Sequence, residues 1–415
     1  MTKIRIIIFL ITLTFTTSIF FIVSLYARGY RFDQRKKKFT PNGLLVIKSD
    51  PDGAQVLVNG DVKTATNATF PLFPGVYDVL VQKNGYLSWN KRLVIEKEVV
   101  TQETAHLFKS APSLSAVTFS GSVNPSPSKD LSKIAYIVPS SLKNSEEAEG
   151  LWIMEIINLP LGFSREPRRV TDGDLIASSF LWSPDAREIL LTTAKGSFLL
   201  DLSKFTPQTQ RINIASQKEK ILEEWNLEKQ KRFKSQVSKL QDELEDIIIR
   251  KTKAVIFSPD EDMLLFTASG SASIPENLIK PIPGASTQKQ ERNIKADQTY
   301  VYDIKEDRNF WIIEDKITLN GWIDYDLPKE SGSKNPENAN SKRSLSWFPT
   351  SRHLVFAEEG KIVIMDYDGT NRQVVYAGSF LAPHAFPALS HDRLIILTNL
   401  GASSTPTNLY SLSIK

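Results

Sequence analysis

From Ile6 to Tyr26 the chain reads IIIFLITLTFTTSIFFIVSLY, 21 residues without a charge. As a helix this run spans about 31 Å, the hydrocarbon thickness of a bilayer. Its many β-branched residues weaken a helix in water. In lipid an unpaired backbone costs far more, so a helix is predicted. A cleaved signal peptide has a shorter apolar run and a small-x-small site, whereas Leu25-Tyr26-Ala27 is a poor one. Residues 1–27 therefore read as a transmembrane anchor and 28–42 as a basic juxtamembrane linker. Tyr26 and Tyr30 fall where amphipathic rings favour the interface.

The pattern then changes to period two. Leu45 and Ile47, Val56 and Val58, Val76, Val79 and Val81, then Leu93 and Ile95 alternate with polar residues. Such runs, broken by Gly, Pro, Asn and Asp, predict short strands of an antiparallel sandwich over 43–110. Asn59-Gly60 is a strong hairpin signal because both residues tolerate positive φ. Pro74-Gly75 and Asn84-Gly85 mark two further turns.

Gly43-Leu-Leu-Val-Ile-Lys-Ser49, Pro51-Asp52-Gly53-Ala54, Val58-Asn59-Gly60, Pro74-Gly75-Val76-Tyr77 and Gly85-Tyr86 occur in an order that resembles the PEGA domain. Asp52 stands where that family has the glutamate of its name, and its Gly-x-Thr-Pro step is degenerate in Lys63-Thr64-Ala65-Thr66. The resemblance implies a small extracytoplasmic β-sandwich acting as a spacer or adhesion-like module, without catalytic residues.

Beyond Ala111 a turn followed by two apolar strands recurs. It stands as Ser126-Pro127-Ser128, Trp182-Ser183-Pro184-Asp185 and Ser258-Pro259-Asp260, with weaker copies at Phe348-Pro349-Thr350 and Ser390-His391-Asp392. The central residues lie 57, 75, 90 and 42 positions apart. Setting aside a polar segment 140–150, a helical segment 216–251 and Pro/Ser/Gly-rich loops 271–298 and 327–343 leaves intervals of 46, 39, 45 and 42. A four-stranded period of about 40–45 residues is a propeller-blade signature. Trp182–Asp185 and the Asp366-Tyr-Asp-Gly369 hairpin resemble the blades of Tol-type β-propellers. The expected fold is mainly β: anchor, PEGA-like sandwich, then a β-propeller over 111–415 of about five, possibly six, blades.

Residues 216–251 lack Gly and Pro and are rich in good helix formers. Leu222, Trp225, Phe233, Val237, Leu240, Leu244 and Ile247 form a stripe that skips a turn at Lys229, which allows a kink or helical hairpin there. Such a helix either covers the propeller's own apolar surface or contacts a partner.

Composition narrows the chemistry. With no cysteine among 415 residues, disulfides, thiol catalysis and cysteine-ligated metals are excluded. Eight basic residues against Asp33 give residues 1–40 a charge of +7, which leaves −3 for the other 375. An acidic body does not favour nucleic acid. Neither a nucleophile elbow, a phosphate loop nor a zinc motif occurs. His106, His353, His384 and His391 lack metal-ligand spacing. Asp366, Asp368 and Asn371 read as a turn rather than a calcium loop, lacking the EF-hand ligand run. No cofactor, metal ligand or catalytic residue is assigned.

The basic residues after the span place the body in the cytoplasm if counted literally, whereas the two resemblances favour export. The expectation adopted is a single-pass, extracytoplasmic binding or scaffold protein contacting protein or surface polysaccharide, of open oligomeric state. A propeller hydrolase acting on envelope glycans or peptides is the alternative, and a cytoplasmic signalling propeller is a third reading.

Overall fold

The computed structural model describes the chain apart from residues 1, 28, 34–36, 141–148, 157–165, 315–317 and 320–342. Most of the segments 140–150 and 327–343 therefore lies outside the described residues. The chain divides into two compact units, 1–107 with 281–288, and 108–280 with 289–415.

Helix α1 (Thr2–Ala27) buries none of its apolar span. Threonine hydroxyls donate back to carbonyls four residues earlier, Thr12 to Ile8 and Thr14 to Leu10 at 2.8 Å, so these polar groups are paired within the helix itself. The segment read as a linker holds a hairpin instead, Tyr30–Asp33 against Lys38–Pro41. Its basic composition hid a cross-strand aromatic pair, Phe32 and Phe39, whose ring centroids lie 5.5 Å apart. Arg31 lies 4.7 Å over the Tyr26 ring.

The PEGA-like region forms two sheets. One orders Ala68–Leu72, Gly43–Asp50 and Val100–His106; the other orders Asp61–Ala65, Gln55–Val58, Gly75–Gln82 and Trp89–Ile95. Gly43–Asp50 runs parallel to Val100–His106, so the sandwich is not wholly antiparallel. Local alternation cannot reveal the direction of a strand 50 residues away. Leu45, Ile47, Val56, Val58, Val79, Val81, Leu93 and Ile95 fill the core with Trp89. Val76, one position out of that period, is 57% exposed.

The turns carry the motif residues. Asn59 and Gly60 have φ of 51° and 86° and close a two-residue hairpin. In the Pro51–Ala54 turn, Ser49 Oγ donates to the Pro51 carbonyl at 2.7 Å, and Ala54 is fully buried. Thr66, from the step that departs from the family pattern, accepts the Ala54 amide on its hydroxyl at 2.9 Å. Gly75 opens its strand, while Gly85, at φ 82°, precedes Tyr86, whose amide bonds the Lys83 carbonyl at 3.1 Å. Residues 281–288 complete this unit. The Thr287 hydroxyl accepts the Val94 amide at 3.2 Å, and Gln288 donates to the Arg92 carbonyl at 2.7 Å. The loop 271–298 is thus bonded along its length, with Ala272–Ser273 and Asn293–Ile294 also paired.

The second unit is a β-propeller with five sheets of three or more strands among the described residues. The first comprises Val123–Pro127, Lys133–Val138, Gly150–Glu155 and Arg168–Thr171. The second has three strands, Ser179–Trp182, Glu188–Thr193 and Gly196–Asp201. The third comprises Thr252–Phe257, Met263–Ala268, Thr299–Asp303 and Arg308–Ile313. The fourth comprises Ser344–Trp347, His353–Glu358, Lys361–Asp366 and Gln373–Ala377, with Thr318–Leu319 parallel at its edge. In the fifth, Ala385–Pro387, Arg393–Thr398 and Asn408–Ser413 are joined by Ser113–Ala116 from the start of the unit. That pairing of first and last strands closes the ring. Face-to-face cores join the first sheet to the second and the fifth, and the third to the fourth.

One bonding pattern recurs five times. The amides of Ser128, Ser183, Ser258, Phe348 and Ala388 bond carbonyls five residues on, and the amides of residues 131, 186, 261, 351 and 391 bond back to these same five residues. Those latter residues, none of them glycine, all have φ between 51° and 60°. The structure corrects the register of two copies. The first turn is Ser128-Lys129-Asp130, two residues beyond Ser126-Pro127-Ser128, and the last begins at Ala388. Proline marks the repeat in sequence, but the left-handed residue and the two backbone bonds define it, with a serine–aspartate bond added in the first three copies.

Residues 216–251 form helices α2 (Lys218–Val237) and α3 (Asp242–Lys251), broken at 238–241 rather than at Lys229. Phe233, Val237, Leu240, Leu244 and Ile248 pack on Val255, Phe257, Leu264, Phe266, Tyr300 and Tyr302 of the third sheet. Ile248 is fully buried where the stripe predicted Ile247. Alternate residues of that sheet, Ile256, Met263, Leu265 and Val301, face the fourth sheet.

Candidate functional site

Serine at the turn start serves as a relay. Ser128, Ser183 and Ser258 donate to Asp130, Asp185 and Asp260 at 2.6, 2.7 and 2.6 Å. Their hydroxyl oxygens accept the amides of Lys133, Glu188 and Met263 at 2.9–3.0 Å. A side chain thereby satisfies backbone that a tight turn would leave unpaired. The preceding tryptophans stitch neighbouring sheets: Trp182 donates to the Ser126 carbonyl at 3.3 Å and Trp347 to that of Ile256 at 3.2 Å.

The first three turns and the C-terminal half of α2 surround a cavity of about 250 Å³, lined by Lys129, Asp130, Pro184, Asp185, Arg232, Gln236, Ser258, Pro259 and Glu261. Gln236 of α2 and Lys239, just beyond its end, donate to the two Glu261 oxygens at 2.7 and 2.9 Å and tie the helix to the cavity. Of the residues singled out in sequence, Pro184, Asp185, Ser258 and Pro259 line this cavity, and Trp182, Ser183 and Asp260 lie in the same turns. The PEGA-like motif residues Pro51, Asp52, Gly53, Ala54, Asn59, Gly60, Pro74, Gly75, Gly85 and Tyr86 belong to the other unit. Sequence reasoning missed Lys129, Asp130, Arg232, Gln236 and Glu261. The Ser128-x-Asp130 spacing, identical to Ser183-x-Asp185, was the available signal for the first two.

The charge states of the lining carboxylates decide what the cavity can do. Burial pushes the Asp130 carboxyl up, but hydrogen bonds from Ser128 and Ser132 outweigh it and leave it below the usual range. Asp185 follows the same logic with Ser183 and the Arg187 amide. The bonds from Lys239 and Gln236 hold Glu261 down. All three are anions near neutral pH. Glycoside hydrolysis by a carboxyl pair needs one carboxyl held protonated, and none of these three is.

Asn371 and Thr370 donate to Asp366 and Asp368, so these carboxylates form the turn's own bonds. Among the described residues no group of three His, Cys, Asp or Glu could hold a metal. His353 is buried 3.6 Å from Asp366, with Thr350 Oγ1 2.8 Å from its Nδ1. Burial pushes His384 down to about 4.

Asp303, only 2% exposed, is pushed up to about 6 by burial and by the charge of Glu306, against bonds from the amides of Lys305 and Glu306 at 2.9 Å. A carboxyl with a raised folded pKa costs nothing while protonated and becomes destabilising as pH rises through that value. Asp303→Asn keeps an oxygen for both amides. It is expected to match the parent near pH 4 and to exceed it by about 2–3 kcal/mol at pH 7.5, in chemical denaturation at both pH values. Lower stability of the variant at both would refute this.

Residues 42–110 match the PEGA domain. Solved structures similar to the chain include a TolB from Agrobacterium tumefaciens, 11% identical with a TM-score of 0.22, covering 72% of this chain and 77% of that one. TolB from Acinetobacter baumannii is 12% identical with a TM-score of 0.19, covering 81% and 59% respectively. An auxiliary nutrient binding protein from Bacteroides thetaiotaomicron is 11% identical with a TM-score of 0.19, covering 87% and 78%. No curated protein matches the chain significantly. The class is therefore defined by its parts: an apolar N-terminal helix long enough to cross a membrane, a PEGA domain and a β-propeller.

Proposed function

We propose that the protein is a single-pass, membrane-anchored binding protein whose propeller presents the cavity among the first three turns to a partner protein or surface polysaccharide outside the cytoplasm. The observation that carries this reading is the fixed charge of that cavity. Asp130, Asp185 and Glu261 are held ionised by bonds to their own turns and to α2. Lys129 and Arg232 stand among them. Preset charges of both signs suit recognition, where they select a complementary surface without being consumed. The PEGA domain supports export, and a long C-terminal body translocates largely regardless of its charge.

Reporter fusions at residue 110 test the topology: phosphatase activity there is expected, and cytoplasmic fluorescence alone would exclude an exported body. The cavity is tested with Arg232→Glu. The residue is about half exposed, so melting should hold within a few degrees. Recovery of the partner on residues 43–415 from solubilised membranes should fall at least tenfold. Equal recovery by parent and variant would move the binding site elsewhere.

A further inference from the structure

The second sheet stops one strand short. In the other four sheets the third strand carries a fourth on its far edge: Arg168–Thr171, Arg308–Ile313, Gln373–Ala377 and Ser113–Ala116. Among the described residues Gly196–Asp201 pairs only with Glu188–Thr193. Gly196 and Gly150, both with φ beyond 130°, open the third strands of the second and first sheets, so the two strands are equivalent. The residues that point their backbone groups outward follow from one end of the edge. There the Ser197 carbonyl accepts the Ile214 amide at 2.8 Å, and its amide donates to Asn213 Oδ1 at 3.3 Å. With period two, Leu199 and Asp201 also face outward, and among the described residues their amides and carbonyls bond no backbone.

We propose that this edge accepts an extended segment of a partner protein, which completes the second sheet as its fourth strand. The repeat itself specifies the occupant, since the equivalent slot is filled by a short strand of the chain's own backbone in every other sheet. The strand in the first sheet has four residues, so a short stretch suffices. A residue placed opposite Leu199 would extend the row Leu181–Leu190–Leu199, of which Leu181 is 53% exposed. Beyond Asp201 the segment can continue over a cavity of about 330 Å³ lined by Ile153, Glu155, Arg168 and Ser203. A second copy of the chain fits less well. The open stretch is about three residues long and blocked at one end by Asn213 and Ile214, short of the roughly 1,000 Å² a stable pairing needs. Main-chain bonds give such docking its affinity and the alternating side chains its specificity.

The test is amide hydrogen exchange on the full chain in detergent, with a peptide copying residues 371–378, the fourth strand of the fourth sheet, as probe. The Leu199 and Asp201 amides are expected to exchange rapidly in the free protein and to slow at least tenfold with saturating peptide. The same peptide with proline at the position of Val374 should have no effect. Slow exchange in the free chain at every dilution would mean that its own residues fill the edge. Protection that rises with protein concentration, alongside a doubled mass in sedimentation, would assign the slot to a second copy. No change with peptide would mean that the edge accepts no strand. Each of these three results overturns the proposal, and none bears on the cavity among the turns.

Discussion

Trp347→Ala is expected to lower stability by about 4–8 kcal/mol and the melting temperature of the propeller by on the order of 10 °C. The side chain is fully buried in the core that joins the third and fourth sheets, against Ile256, Met263, Leu265 and Leu354 among others. Truncation removes the apolar contact and leaves a cavity, worth about 3–5 kcal/mol for a buried tryptophan. It also strips the Ile256 carbonyl of its indole donor at 3.2 Å, and an unpaired buried acceptor adds about 1–3 kcal/mol. Trp347→Phe separates the two contributions, because most of the apolar area stays and only the bond is lost. It should cost about 1–3 kcal/mol. A phenylalanine variant as stable as the parent would show that the bond contributes nothing, and a variant as unstable as alanine would show that shape governs. Trp182, 8% exposed with a bond of 3.3 Å, should follow with smaller values.

The same residues show how far the chain could be read without coordinates. Trp182–Asp185 announced a blade because turn chemistry is local: Pro184 sets φ, Ser183 bonds Asp185, and both lie within four residues. The alternation of Leu45, Ile47, Val56 and Val58 gave the core face for the same reason. What local pattern could not supply was partnership over distance. The parallel pairing of Gly43–Asp50 with Val100–His106, the Thr66 hydroxyl on Ala54 and the return of Ser113–Ala116 to the last strand depend on residues tens to hundreds of positions apart. The candidate cavity is of this kind. Three of its walls are turns that share a sequence signature, but the fourth is Arg232 and Gln236 on a helix with no place in the repeat. Lys129 and Asp130 were within reach, and were lost because Pro127 drew the register two residues too early.

Removing residues 216–251 and joining the flanks with a short Gly/Ser linker is expected to abolish soluble, cooperatively folded protein. Helices α2 and α3 cover Val255, Phe257, Leu264, Phe266, Tyr300 and Tyr302, one whole face of the third sheet. Returning six large side chains to water, at about 1.5–3 kcal/mol each, amounts to on the order of 10 kcal/mol, comparable with the entire stability of a folded domain. The face opposite is engaged with the fourth sheet, so the third sheet cannot turn to hide what is uncovered. An exposed apolar sheet of this size also aggregates. Ile248→Asp is the milder form: a fully buried side chain replaced by an unpaired carboxylate should cost more than about 3 kcal/mol while leaving the chain length intact. The helices would be dispensable to the fold if the deleted protein melted within a few degrees of the parent. The half of α2 before Phe233, where Leu227 is 50% exposed and no residue is buried, would then carry the insertion's purpose through contact with another molecule. Loss of folding with intact partner recovery in Leu227→Ala places that purpose in the propeller itself, as the layer that seals its third sheet and holds Arg232 and Gln236 over the turns.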